Sequence, residues 1–116
     1  MPFVTSKLAN RTKTINRKFE DGQSINIRYR PHVYNFEDQL QLTELISNDA
    51  NPVGERFEAL VTWFCGTVEW CDWTEDEGGP EIPITPDAVR AQNFDLVMFI
   101  FQMIGEDKQG KGWRAK

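Results

Sequence analysis

His32, Cys65 and Cys71 are the side chains with the widest chemical repertoire in this chain of 116 residues. A Cys–His pair can act as nucleophile and base, because contact in space needs no closeness in sequence. One histidine and two cysteines fall short of the four Cys/His ligands that a structural zinc site takes. Two cysteines also make no disulfide framework. Each is expected to be a buried, reduced thiol, the commoner state of free cysteine. The acidic run Asp72, Glu75, Asp76, Glu77 and Glu81 could hold a cation or supply a carboxylate pair. It lacks the EF-hand spacing, with ligands at alternate positions and glycine at the sixth, and reads as a solvated loop. No P-loop and no G-x-G-x-x-G motif occurs, so nucleotide chemistry has no support. Catalysis, a metal and a cofactor are therefore not expected.

Basic side chains offer a different chemistry. Lys13, Arg17, Lys18, Arg28 and Arg30 interleave with Phe19 and Tyr29, the mixture that phosphate contacts and base stacking use. The charge balance opposes this use. Residues 1–34 hold seven basic and two acidic groups, net +5, whereas residues 35–107 hold two basic and sixteen acidic, net −14. The last nine residues carry four basic groups. A body that acidic repels a phosphate backbone, and opposed patches instead suit partner or head-to-tail electrostatics.

The elements that must position these residues follow from periodicity. Glu20-Asp21-Gly22 signals a turn, and beyond it Ile25, Ile27 and Tyr29 alternate with Asn26, Arg28 and Arg30. Period two predicts a half-buried strand, here in a β-hairpin of roughly 12–19 and 24–30 stopped at Pro31. Phe36, Leu40, Leu42, Leu45 and Ile46 recur at mostly three- and four-residue steps behind Asn35, a candidate N-cap. A second helix is predicted from about Val53 to Phe64, with Gly66 closing it. Residues 67–85, bracketed at their end by Pro83 and Pro86, read as an extended loop. Thr85-Pro86-Asp87 carries cap, first-position proline and dipole-matched acid, opening the last helix, which restarts at Asn93 and ends at Gly105.

Nine of the twelve residues Phe94–Gly105 are large and apolar. A helix apolar nearly all round must be covered on several sides, and two readings stay open: a central core helix wrapped by the two other short helices and the hairpin, or an apolar groove or ridge that a partner covers. On the second, the expected partner surface lies on Phe94, Val97, Met98 and Phe101, with Trp70 and Trp73 at its edge. The fold expected is α+β: an N-terminal β-hairpin followed by a small three-helix unit whose last helix is highly apolar. The chain divides into a flexible arm (1–11), one domain (12–105) and a disordered basic tail (106–116). Its opening lacks the apolar run of a signal peptide, and no stretch approaches the ~20 apolar residues of a membrane span.

The stretch 68–104 resembles the tail assembly chaperones of long-tailed, siphovirus-type bacteriophages. The resemblance rests on Trp73, the acidic run Thr74–Glu77 with Gly78, the Pro83-Ile-Thr-Pro-Asp87 step and the apolar helix Phe94–Ile104. Upstream, the Asp21-Gly22 turn, the Ile25–Tyr29 strand and Arg30-Pro31 match the family's opening. The order Cys71-Asp72-Trp73 departs from the family's usual Trp-Asp-Leu, and residues 1–18 lie outside the match. The resemblance implies a non-enzymatic factor of the host cytoplasm that coats the apolar, helix-rich tape measure protein and keeps it soluble until the tail tube forms. It also implies absence from the mature virion, homo-oligomerisation, and a frameshifted longer form that recruits the tail tube protein, this chain matching the short form. Two other classes stay open: a structural tail component (completion or adaptor-type subunit) retained in the virion, and a small nucleic-acid-binding regulator.

Overall fold

Alternation decides the first elements. A computed structural model describes residues 5–108, in which Thr5–Asn10 form a 3-10 helix ahead of strand β1 (Lys13–Lys18) and strand β2 (Ser24–Tyr29). The two strands pair antiparallel, with Lys13 opposite Tyr29 and Lys18 opposite Ser24. Ile25, Ile27 and Tyr29 are buried while Ser24 and Arg28 are exposed, so one face of β2 supplies core. The connecting turn needs Gly22, whose φ is +91°, in the region side chains avoid. Asp21 fixes the same turn by accepting hydrogen bonds from the Gln23 backbone N–H at 3.0 Å and its side-chain amide at 2.7 Å.

Helix α1 (Phe36–Ser47) starts where its cap demands: the Asn35 side chain accepts from the Asp38 N–H at 2.8 Å. Helix α2 (Val53–Thr67) packs on it. Arg56 ties the two together, its Nε donating to the Ile46 carbonyl at 2.9 Å at the C-terminal end of α1. Gly66 does not close α2, which continues to Thr67. Its role is spatial, since a Cβ there would lie 2.2 Å from the Tyr34 hydroxyl.

Without an intervening loop, α2 runs into strand β3 (Val68–Cys71), which joins β2 and completes the sheet order β1-β2-β3. The start of the region expected to be an extended loop is thus a third strand. Its four residues are too few for a period-two signal, and a bulge between Arg28 and Tyr29 shifts the pairing. The rest of the region is irregular and folds back on itself: Trp73 and Ile82 are bonded through their backbones, and the Trp73 indole donates to the Ile82 carbonyl at 3.0 Å.

The expected last helix is two helices. In α3 (Pro86–Arg90) Thr85 caps the Ala88 N–H at 3.3 Å and Pro86 takes the first position. The chain breaks at 91–93, and the Asn93 side chain accepts from the N–H groups of Asp95 at 2.8 Å and Leu96 at 3.3 Å to start α4 (Phe94–Lys108). Gly105 does not end α4, which extends three residues further. The α+β class stands, with a hairpin leading into helices. Of the expected arm, 5–10 form the 3-10 helix; of the expected tail, 106–108 belong to α4 and 109–116 lie outside the described residues. The core gathers β2, β3, α2 and α4: Ile27, Tyr29, Leu60, Trp63, Phe64, Val97, Ile100 and Ile104 are all exposed by 1% or less.

Candidate functional site

Coverage of α4 is the first question, because the expected partner surface lies there. Three aromatic contacts answer it. Phe99 meets Phe19 of the hairpin at 5.4 Å between ring centroids, Phe94 meets Phe57 at 5.5 Å, and Phe101 stands edge-on to Trp63 at 4.8 Å. Guanidinium groups add cover, Arg17 over Phe99 and Arg56 over Phe94, in the geometry of cation–π attraction. The hairpin and the length of α2 therefore wrap the helix.

The six expected surface residues do not form one surface. Val97 is wholly buried, and Trp73 is 6% exposed and stacked on Phe64 at 5.4 Å; both belong to the core. Phe94 and Met98 are half-buried against that core. Trp70 pairs with Arg28 in the sheet, on the face opposite Cys71, where its ring lies 5.2 Å from the Arg28 guanidinium and its indole donates to Glu81 at 3.0 Å. Phe101 opens onto a recess beside α1. The physical reason is that α2 and β2 present more large apolar side chains than their lengths suggest, Trp63 and Tyr29 above all.

The exposed apolar surface lies on α1 instead. Phe36 is 85% exposed and Leu40 54%. α1 buries only Ile46 fully. A helical wheel carries the missed signal: at about 100° per residue, Phe36, Leu40, Leu42, Leu45 and Ile46 spread over roughly 220°, wider than one neighbouring helix covers.

Beside this stripe runs a groove of about 510 Å³, bounded by Gln39 and Thr43 of α1, Trp63 of α2, and Phe101, Gln102, Gly105, Glu106 and Lys108 of α4. Its size falls within the range of ligand-accepting clefts. Its floor is aromatic. Gln39 donates to the Thr43 hydroxyl at 3.3 Å along the α1 bank. The Trp63 indole N–H, buried at the floor, has no acceptor among the described residues. Gly105 leaves open space, with no atom within 4 Å of where its Cβ would be. Burial pulls the Lys108 ammonium below the ordinary lysine range. On the other flank of α1, Leu42 and Leu45 face Ala59 across a shallower recess edged by Glu55 and Glu58.

Chemistry is weak elsewhere. Cys71 is 1% exposed, and burial, with Asp72 adjacent, pushes its thiol up to about 12, so it is no nucleophile at neutral pH. Burial also raises the Cys65 thiol, against the pull of Arg90. His32 is exposed. Among the described residues no group of three His, Cys, Asp or Glu side chains is arranged to hold a metal ion, and no helix is long and apolar enough to cross a membrane. Three of the five basic side chains singled out in the hairpin are ion-paired: Lys13 with Asp107 at 2.9 Å, and Arg28 and Arg30 with Glu69 at 3.2 and 3.8 Å. Asp107 also accepts the Tyr29 hydroxyl, which pins the end of α4 to the sheet.

No family model, no curated protein and no solved structure matches this chain.

Proposed function

We propose that this protein is a non-enzymatic tail assembly chaperone of a long-tailed bacteriophage, which holds an apolar helical segment of the tape measure protein and keeps it soluble in the host cytoplasm. One observation carries the reading: the α1 stripe of Phe36 and Leu40 lies uncovered beside an aromatic-floored groove. Apolar side chains exposed side by side mark surfaces that a partner covers. A stripe next to a groove suits the docking of an amphipathic helix through anchors at i, i+3, i+4 and i+7. The acidic body keeps such a complex in solution. The site differs from the one expected from the sequence, since Phe101 alone of the six residues lines it.

Under this reading the chain acts during assembly and is absent from the finished particle, and a longer frameshifted form recruits tube protein. The nucleic-acid reading loses support because Lys13, Arg28 and Arg30 are paired with carboxylates, leaving less charge for phosphates.

Co-expression with the tape measure protein of the same gene cluster tests the proposal. The expected result is a soluble tape measure protein that co-purifies with this chain. Gly105→Leu fills the groove at a position with open space and removes a glycine from a helix interior, which costs about 0.5–1 kcal/mol relative to alanine. It is expected to keep the fold and lose the partner. A tape measure protein that stays insoluble, together with this chain in purified virions, assigns the protein to the tail structure and ends the chaperone reading.

A further inference from the structure

Most of the charges around the groove are negative. Helix α1 carries Glu37, Asp38 and Glu44 and no lysine or arginine. Glu37 and Glu44 are one heptad apart, so both flank the Phe36–Leu40 stripe on the side away from α2. Glu106 is exposed on the opposite bank. None of these three carboxylates forms an ion pair among the described residues. Among the described residues the one cation at the groove is Lys108, half-buried at its end; Asp107 beside it is already matched by Lys13 and Tyr29. Among the described residues, unpaired carboxylates thus stand on both sides of the apolar surface, with Lys108 at one end of the groove.

We propose that the helix docked on this face carries lysine or arginine along both flanks of its apolar stripe, meeting Glu37 and Glu44 on one side and Glu106 on the other. The inference rests on the docking reading above and specifies the occupant's chemistry. Opposite charges set register and orientation across an interface whose apolar contacts are non-directional. A second copy of this chain is the poorer occupant, because its own Glu37 and Glu44 would be brought against the same carboxylates, and like charges in juxtaposition are unfavourable. The basic flanks also explain how the face avoids an indiscriminate apolar surface: an acidic amphipathic helix is repelled while a basic one is drawn in.

Two synthetic amphipathic peptides with one leucine stripe, flanked either by lysine or by glutamate, test this against the full chain by calorimetric titration. The lysine-flanked peptide is expected to bind about tenfold more tightly at low salt, as three exposed ion pairs allow. That advantage is expected to shrink several-fold at 0.5 M salt, where screening reaches within a few ångströms. The triple variant Glu37→Gln, Glu44→Gln, Glu106→Gln is expected to bind both peptides alike, and Leu40→Asp to bind neither. Equal binding of the two peptides by the native chain overturns the charge inference and leaves the docking face intact. A preference that survives in the triple variant also overturns it, tracing the selectivity to overall charge. Binding of neither peptide removes the docking face itself. Self-association abolished by Leu40→Asp assigns the face to a second copy and overturns the proposal.

Discussion

Helices α1 and α4 invert what their sequences suggest. α4 is the more apolar, with large side chains on almost every side, yet Val97, Ile100 and Ile104 are fully buried and its remaining aromatics are half-buried. α1 has only five large apolar residues, and three of them, Phe36, Leu40 and Leu45, stand exposed. α4 lies between hairpin and α2, whereas α1 packs on the outside of α2. Exposure is a property of neighbours. A helix rich in apolar residues recruits cover, and an amphipathic helix at the edge of the fold keeps whatever its single contact leaves over.

The largest test of that contrast places a carboxylate on each helix. Val97→Asp buries an unpaired charge and is expected to cost about 4 kcal/mol or more, enough to remove much of a small domain's stability. Leu40→Asp is expected to stay within about 0.5 kcal/mol of the native chain. Urea unfolding of both reads the difference, and similar midpoints would erase the distinction between the helices.

Alkali probes the covered side next. The folded chain holds the Cys71 proton up to about 12 against an ordinary 9. The native state therefore binds that proton more tightly than the unfolded one. Its contribution is complete below pH 9 and is lost as the pH climbs from 9 towards 12. Burial and Asp107 raise the Tyr29 phenol as well, extending the loss upward from about pH 10. Stability measured from pH 8 to 11 is expected to fall, and Cys71→Ala to flatten the part that starts near pH 9. An unchanged slope would mean the thiol is not sequestered as described.

Smaller again is the cap of α1. Asn35→Ala removes the acceptor for the Asp38 N–H and is expected to cost about 1 kcal/mol. Amide exchange should quicken in the first turn of α1 and stay unchanged in α4. Exchange that quickens in both would show the helices to be one cooperative unit. The smallest effect is at Phe36, where alanine is expected to alter stability by no more than about 0.5 kcal/mol while weakening binding of the lysine-flanked peptide. A large loss of stability there would show that the exposed ring packs in solution.

Strand β2, the caps Asn35, Thr85 and Asn93, and the turn at Gly22 were legible in the sequence because each is a local event. Alternation, an acceptor one turn before an amide and a positive φ are settled within a few residues. Strand β3 escaped notice because four residues hold too little periodicity, and its hydrogen bonds go to a partner some forty positions earlier. Gly66 and Gly105 mimic helix stops, but Tyr34 needs the space at the first and the Asp107 contact with Lys13 and Tyr29 holds the chain beyond the second. Of the surface residues expected on α4, Val97 is core and Phe101 lines a groove.

Residue type and short-range spacing are enough to make the protein α+β, to start most of its elements, to choose the buried face of β2 and to make the body acidic. Only the tertiary structure decided which apolar residues remain in water. Burial is an exchange between elements distant in the chain: Phe19, Trp63 and Phe57 consume the surface of α4, and no described element is left to cover Phe36 and Leu40.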